Sequence, residues 1–396
     1  MPKKMKAGII GSGAISFTYL KNLTSTFSLI EVIGCSDIIK ERSKRRAECF
    51  GIKQMTNEQI LEDPEIEIVI NLTYPLSHYE VTKAAINAGK HVFSEKMLST
   101  NYPSALELYR LAKDNNVRIG QAPDTFLGGG LQTARKILDS GLIGEPFFAQ
   151  AMVIRCNRLN GEERQDTLPF VFSEGGSIPY DMGGYYIHAL VNMFGPICRV
   201  AGFARPFKTQ ITQHNPRHPD YHIPIALQAN TLLSCVMEFQ NGCVSNFTAC
   251  SESHVREIPR LEVYGTEGTI ILPDPNTFCG PVYILRNRDN TRMEFPLTHG
   301  YGEKKPDPGA EFDIEERSWI NSYRGIGAID MAWAIRNGRP HRCSAELGLH
   351  AIEAIYGVEQ SSKNDNVYFM NSKPDRPAAL PSGYIFGTSA EECFDN

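Results

Sequence analysis

Through the first third of the chain, short apolar runs alternate with amphipathic stretches of helical length. Strand-length runs at 6–10, 30–36, 66–72, 91–93 and 117–121 are separated by segments such as 13–23, 78–88 and 102–115 that read as helices. Strands alternating with helices predict a parallel, doubly wound sheet. A further helix at 131–140 leads into a strand at 145–155, and from there the rhythm changes. Residues 232–239 and 243–250 alternate apolar with polar around Gln240-Asn241-Gly242, which predicts an antiparallel hairpin, and 261–264 and 268–272 add strands around Gly265-Thr266-Glu267. Helices at 325–337 and 345–361 are expected to pack back on the first domain. Beyond Lys373, Pro374, Pro377 and Pro381 predict a tail extended along the surface. The expected division is 1–124, 125–373 and a tail at 374–396.

The first strand runs straight into Gly11-Ser12-Gly13-Ala14-Ile15-Ser16. Glycines at the first two positions allow a tight turn and let the backbone approach a pyrophosphate at the helix N-terminus, where free amides and the helix dipole favour anions. Ser16 stands where a third glycine or alanine usually permits close helix–strand packing, so a glycine turn without a nucleotide competes with this reading. The next strand ends in Asp37, placed to accept hydrogen bonds from ribose hydroxyls and to repel a 2′-phosphate, which favours NAD over NADP. Arg42, with Lys40, offers either a phosphate contact or a solvated helix face. Further on, the strand at 91–93 delivers Glu95-Lys96 from its carboxyl end, where open α/β sheets hold their ligands.

Composition narrows the classes. At 396 residues and 42% hydrophobic the chain can bury a sizeable core over two domains, while a net charge of −5 leaves no basic field for nucleic acid. Ten cysteines without a Cys-x-x-Cys pair read as small buried hydrophobes of a reducing cytosol, so the expected location is cytoplasmic. The apolar run near the start passes directly into the glycine turn and reads as a strand rather than a signal peptide. No stretch has the length of a membrane span. His214, His218 and His222 are spaced by four, but Pro216 and Pro219 prevent a regular helix there, so no metal is expected.

The glycine turn, Asp37, the segment Thr73-Tyr74-Pro75-Leu76-Ser77-His78, Ala88-Gly89-Lys90-His91-Val92 and Glu95-Lys96 together resemble the glucose-fructose oxidoreductase, inositol dehydrogenase and MocA family. The resemblance continues through Gly141-Leu142-Ile143-Gly144-Glu145-Pro146, 175–195 and 328–360, nearly the whole chain. It implies an α/β N-terminal Rossmann domain and an α+β C-terminal domain with a large, mostly antiparallel sheet. It also implies oxidation or reduction of a ring carbon with NAD(P), and a dimer, tetramer or higher homo-oligomer formed through that sheet. The family's Glu-Lys-Pro reads Glu-Lys-Met here, with Met97 in place of proline, which puts the local loop shape in question. Its Asp-x-Gly-x-His-x-x-Asp pattern is matched by Asp181 and Gly183, with Tyr185 at the histidine and His188 at the later acidic position.

These residues define the expected site. On a helix beginning near Gly183, positions 181, 185 and 188 share one face, and Asp181 can cap that helix while touching a substrate. Oxidising a secondary alcohol needs a base for the hydroxyl proton as hydride leaves. Lys96 is the first candidate, its pKa lowered by burial beside a cationic nicotinamide although Glu95 opposes this. Asp181 orients the hydroxyl or balances charge; Tyr185 and His188 are the next proton-relay candidates, each competing with a plain core role. Gly11, Gly13, Ala14, Ile15, Asp37, Arg42, Thr73, His78, Glu95, Lys96, Gln121 and Pro123 are the cofactor candidates, while Asp124 and Arg155 join Lys96, Asp181, Tyr185 and His188 towards the substrate. Arg155, like Arg158, is explained equally by a charged sheet edge. Within the family, 181–186 and 122–126 resemble sugar or glycoside dehydrogenases, and that resemblance implies NAD-dependent oxidation of a ring hydroxyl of a sugar or glycoside, most concretely C3 of a glucoside to the 3-keto sugar. The alternatives are an inositol dehydrogenase, a redox-neutral NAD-dependent glycosidase and a non-catalytic NAD-sensing regulator.

Overall fold

The five apolar runs of the first third, with a short polar edge strand added, pair as six parallel strands. They are β1 (Met5–Ile10), β2 (Ile30–Ser36), β3 (Lys53–Gln54), β4 (Ile68–Asn71), β5 (His91–Ser94) and β6 (Ile119–Gln121). The computed structural model describes residues 3–155, 172–173, 175–227, 229–253, 258–286, 291–302, 322–382 and 394; the expected cleft residue Arg158 lies outside the described residues. The spatial order β3-β2-β1-β4-β5-β6 reverses direction between β1 and β4, which opens a crevice at the strands' carboxyl ends. Helices α1 (Ala14–Lys21), α2 (Lys40–Phe50), α3 (Asn57–Glu62), α4 (His78–Asn87) and α5 (Tyr102–Asp114) make the crossovers. The strand cores of β4 and β5 are fully buried, as a sheet covered on both faces requires.

Helix α6 (Gly129–Asp139) leads to β7 (Pro146–Ile154), the central strand of a second sheet. Then come α7 (Ile178–Phe194), β8 (Ile197–Arg205), the small pair β9 (Gln210–Thr212) and β10 (Pro224–Ala226), and the strands β11 (Leu232–Phe239) and β12 (Val244–Cys250). The sheet is completed by β13 (Ile258–Gly265), β14 (Gly268–Leu272), β15 (Val282–Arg286), β16 (Arg292–Phe295) and β17 (Tyr368–Phe369). Its nine strands run in the order β16-β15-β14-β13-β7-β12-β11-β8-β17, antiparallel except for the β7–β12 pair. The expected hairpin is present in register, with Leu232 opposite Cys250 and Glu238 opposite Val244.

Two helices tie the sheets together. Helix α9 (Ala345–Asn364) packs against α5 and β6 on one side and α7 and β8 on the other, while α8 (Ile326–Asn337) lies against β6. The peptide of Gln121 donates to the Cys343 carbonyl, so the loop between α8 and α9 extends the edge of the first sheet.

Helix α7 differs from the expectation: it starts at Ile178 with Ser177 as its N-cap residue, so Asp181 lies inside the first turn and does not cap the helix. Pro179 sits where its missing N–H is not needed, and the glycine pair 183–184 lies within the helix rather than at its start. The tail is extended but anchored more firmly than a surface strand. Pro374, Pro377 and Leu380 are buried, Arg342 Nε donates to the Ala378 carbonyl, and the Leu380 amide donates to Gln132 Oε1.

Arg342 is itself held by Asp330 of α8. The Asp330 carboxylate is fully buried and accepts from Arg342 Nη1 at 2.5 Å, the Arg342 amide at 2.6 Å and Arg339 Nη2 at 2.9 Å. Asp330→Ala would leave two guanidinium groups without their shared anion, at an expected cost of about 3–5 kcal/mol. Denaturant unfolding of the variant checks this, and an unchanged midpoint would show that the tail's anchoring does not depend on the ion pair.

Candidate active site

The glycine turn between β1 and α1 has the shape a pyrophosphate needs. Gly11 has φ +101°, and a Cβ there would lie 2.5 Å from the Leu72 carbonyl carbon, so only glycine fits against the end of β4. A Cβ on Gly13, by contrast, would meet nothing within 4 Å, which leaves the backbone open to a ligand. Helix α1 has no side-chain cap at its N-terminus, so its first amides are available to an anion. Ala14 is exposed beside them and Ile15 lines the adjoining cleft. Asp37, at the end of β2, accepts from the Ser12 amide at 2.7 Å and the Ile39 amide at 2.8 Å, which fixes its carboxylate beside the turn. These features fit a dinucleotide.

Arg42 is exposed on α2. The cation that reaches the turn is Arg46, one helical turn on. It is buried, and its Nε donates to Ser16 Oγ at 3.1 Å, while that hydroxyl donates to the Gly13 carbonyl at 2.6 Å. The serine at the third glycine position therefore links α2 to the turn, which the sequence pattern did not reveal.

Beyond the turn a cleft of about 320 Å³ opens, lined among others by Thr73, His78, Glu95, Lys96, Arg155, Asp181, Tyr185 and Arg324. Lys96 leaves the end of β5 and its ammonium donates to Asp181 Oδ1 at 2.6 Å and to the Asp181 carbonyl at 2.8 Å. Arg155, at the end of β7, meets the other carboxylate oxygen at 3.3 Å. Asp181 is thus clasped by one cation from each sheet. Glu95 sits behind this pair: its carboxylate accepts from the Tyr19 hydroxyl at 2.7 Å and from the Lys96 amide at 3.1 Å. The peptide joining Lys96 to Met97 is cis. The Met97 carbonyl lies 2.7 Å from His78 Nδ1, and the Thr73 carbonyl lies 2.9 Å from His78 Nε2, so His78 ties the loops after β4 and β5 together.

The lowered pKa expected of Lys96 is not found in the protein itself. Burial favours the neutral amine, yet Asp181, Tyr185 and Glu95 outweigh it and hold the group above its ordinary range, so it stands as a hydrogen-bond donor. Tyr185 lies over the Lys96 ammonium, 5.2 Å from ring centroid to Nζ, and its hydroxyl accepts from Arg324 Nη2 at 3.0 Å. Burial raises its pKa, opposed by Arg324 and Lys96.

Four expected site residues stand behind the cleft instead of on its wall. His188 shares a helix face with Asp181 and Tyr185 but is two turns in and 1% exposed; Nδ1 contacts the Pro123 carbonyl at 3.1 Å, its ring packs on Phe126, and burial pushes its pKa down to about 4. Pro123 is buried and occupied in the same contact. Gln121 is buried and its Oε1 accepts from the Leu98 amide, bracing the loop that follows Lys96. Asp124, fully buried, accepts from the amides of Gly325 and Gly327 and serves as the cap of α8. Helical phase places residues on a face; it does not say how deep each turn lies. Arg324, Tyr19 and Asn276 were not singled out from the sequence, and a buried arginine brought in by a distant loop leaves no local pattern.

Among the described residues no group of three His, Cys, Asp or Glu side chains is arranged to hold a metal, and no helix is long and apolar enough to cross a membrane.

Burial pushes the Asp124 carboxyl up to about 6, against Arg324 and the two amides. Between its ordinary value of 3.8 and about 6 the folded protein therefore binds more protons than the unfolded chain. The associated stability is complete below the lower value and is lost as pH rises through the upper one. Asp124→Asn keeps an oxygen for both amides and removes the titration. Between pH 4 and 7 the native protein should lose roughly 3 kcal/mol relative to this variant. Parallel stability curves for the two proteins would contradict the assignment.

Comparison with known proteins agrees with this geometry. The profile of the oxidoreductase family with an NAD-binding Rossmann fold, GFO_IDH_MocA, matches residues 5–122, and that of the GFO/IDH/MocA C-terminal domain matches residues 131–271. An uncharacterized oxidoreductase of Schizosaccharomyces pombe, C115.03, is 30% identical over 200 residues, 48% of this chain and 52% of its own length. An inositol 2-dehydrogenase of Salmonella typhimurium is 30% identical over 150 residues, 36% and 44% of the two lengths. The chain spans about half the length of these curated relatives. A solved levoglucosan dehydrogenase in complex with NADH superposes with a TM-score of 0.73 at 22% identity, covering 94% of this chain and all of that one, a likeness of fold.

Proposed function

This chain belongs to the GFO/IDH/MocA family of NAD-binding oxidoreductases, and from that premise we propose that it oxidises a ring secondary hydroxyl of a sugar or glycoside by hydride transfer to NAD. The observation that carries this reading is the Lys96–Asp181 pair, 2.6 Å apart, brought from the end of β5 and the first turn of α7 to one cleft beside the glycine turn. NAD supplies the hydride acceptor. Gly11, Gly13 and the α1 N-terminus would hold the pyrophosphate, and Asp37 would take the adenosine ribose and disfavour a 2′-phosphate. His78 fixes the two loops that flank the reacting end.

Within the cleft, Lys96 donates to the reacting hydroxyl and stabilises negative charge on its oxygen, Asp181 holds the Lys96 ammonium in place and balances its charge, and Tyr185 completes the polar wall. The dense set of donors and acceptors suits a polyhydroxylated ring, and both the inositol 2-dehydrogenase and the levoglucosan dehydrogenase are related enzymes with names of that kind. C3 of a glucoside is the position we assign, giving a 3-keto sugar whose neighbouring C–H bonds are acidified.

NADH formation by the purified protein with NAD and a panel of glucose, aryl glucosides and inositols tests this. Activity confined to inositols replaces the sugar reading; aglycone release without lasting NADH points to a redox-neutral glycosidase; NAD binding with no turnover points to a sensor. Lys96→Ala should abolish turnover while NAD still binds, and full activity in that variant would remove Lys96 from the mechanism.

We also infer a homo-oligomer formed through the open face of the large sheet. Phe203 of β8 (70% exposed), Val236 of β11 (50%) and Phe369 of β17 (66%) project from one face, since Ala201 pairs with Val236 and Arg199 with Phe369. The opposite face is covered by α7 and α9. Light scattering should find an assembly that Val236→Glu weakens, and a native monomer would end this inference.

A further inference from the structure

Arg324 is among the largest fully buried side chains, yet it lines the cleft. Its Nη2 reaches the Tyr185 hydroxyl at 3.0 Å and Asn276 Oδ1 at 3.0 Å. A guanidinium has donors and no acceptor, so in the first contact the phenol oxygen accepts. The Tyr185 proton must therefore point away from Arg324. Among the described residues no protein acceptor receives it, and the side chain borders the cleft. Its available direction is the place a substrate oxygen would occupy.

We propose that Arg324 is a positioning residue for proton transfer: it fixes the Tyr185 hydroxyl towards the reacting oxygen and stabilises the phenolate form of Tyr185. The proposal rests on the dehydrogenase reading above. In the oxidation, Tyr185 enters as phenolate, its proton already released to water. The substrate C–H bond breaks with its electron pair passing to NAD, the O–H bond breaks with its proton passing to the phenolate oxygen, and the carbon–oxygen double bond forms. In the reverse direction the Tyr185 hydroxyl gives that proton back. Lys96, which already donates to Asp181, stays charged throughout.

The groups facing Tyr185 set the balance. Burial opposes the phenolate most and, with Glu95 and Asp181, holds the phenol above its ordinary range; Arg324 and Lys96 favour the phenolate and offset part of that penalty. Removing Arg324 should raise the ionisation midpoint of Tyr185, and a lysine in its place should keep most of the charge effect.

The test uses the full-length protein. Phenolate absorbance after a rapid pH jump, taken as the difference between each protein and its Tyr185→Phe counterpart, gives the Tyr185 midpoint with no need of turnover. Arg324→Gln should move that midpoint upward by roughly 1–3 in pH, and Arg324→Lys should move it less. In kcat for the sugar oxidised best, Arg324→Gln should cost about tenfold for every whole pH step by which the midpoint rises, and almost nothing in the Tyr185→Phe background. Asn276→Ala serves if Arg324→Gln fails to fold: it loosens the guanidinium but keeps its charge, and should lower kcat with the midpoint unmoved. An Arg324→Gln midpoint equal to the native one overturns the proposal, as do independent, multiplicative losses in the double variant. Absence of turnover on every sugar with NAD bound strikes instead at the dehydrogenase reading, and the absorbance midpoint still decides the role of Arg324.

Discussion

The structure depends on compensating a set of charges that lie at the seam between its two sheets. Lys96 and Arg324 are cations removed from most of their water, a transfer that costs several kcal/mol per ion unless partners are built around them. Glu95 and Asp181 provide the opposing charge, and each is held from more than one element: Glu95 by Tyr19 of α1 and the peptide after β5, Asp181 by Lys96 and by Arg155 of β7. No single secondary-structure element could satisfy this group. The cleft exists only when the nucleotide helix, the end of β5, α7, β7 and the segment before α8 meet, so the site is assembled by tertiary structure.

This explains which parts of the molecule were legible in the sequence. Period-two and helical patterns are local, and they located β1, β2, β4 to β7 and β11 to β14 to within a few residues, while the short or edge strands β3, β8 and β15 to β17 and the short helix α3 went unread. The glycine turn and Asp37 were legible for the same reason, since their function is carried by backbone shape and spacing within one βαβ unit. Lys96 and Asp181 were found through motif resemblance, and they do meet, 2.6 Å apart. What failed was depth. Gln121, Pro123, Asp124 and His188 lie close in sequence or helical phase to cleft residues, but each faces inward to brace an α8, Met97-loop or α7 contact. The start of α7 was misjudged because a glycine pair resembles a helix end, whereas here it allows close packing inside a buried helix. Arg324 could not be read at all, because its partners are Asn276 and Tyr185, both far away along the chain.

The two ends of the bound dinucleotide would meet opposite arrangements of charge. At the pyrophosphate, uncapped amides of α1 provide partial positive charge, and Arg46 reaches the turn only from behind, through Ser16 and the Gly13 carbonyl. At the reacting end stand full charges, Lys96 paired with Asp181, and Arg324 donating to the neutral Tyr185 hydroxyl. Backbone dipoles suit a permanent anion that must bind and leave. Ionised side chains suit a charge that appears only during reaction, because fixed donors already aimed at the developing oxyanion need little reorganisation.

The same hydrogen-bond directions support the proposal that Tyr185 is the proton acceptor. An ammonium that donates twice to Asp181 has no lone pair to offer, and every neighbour that stabilises its charge makes it a weaker base. Those neighbours make it a better electrostatic partner for an alkoxide. The phenol of Tyr185 is placed the other way round: its oxygen already accepts from Arg324, so losing its proton strengthens an existing contact instead of leaving a charge alone in the interior. Where the family pattern has histidine, this chain has a tyrosine; burial holds it above its ordinary range, and in the proposed mechanism the buried Arg324 partly offsets that penalty. The proposed division of labour is therefore between a lysine that remains a cation and a tyrosine that changes charge, with the arginine compensating the change.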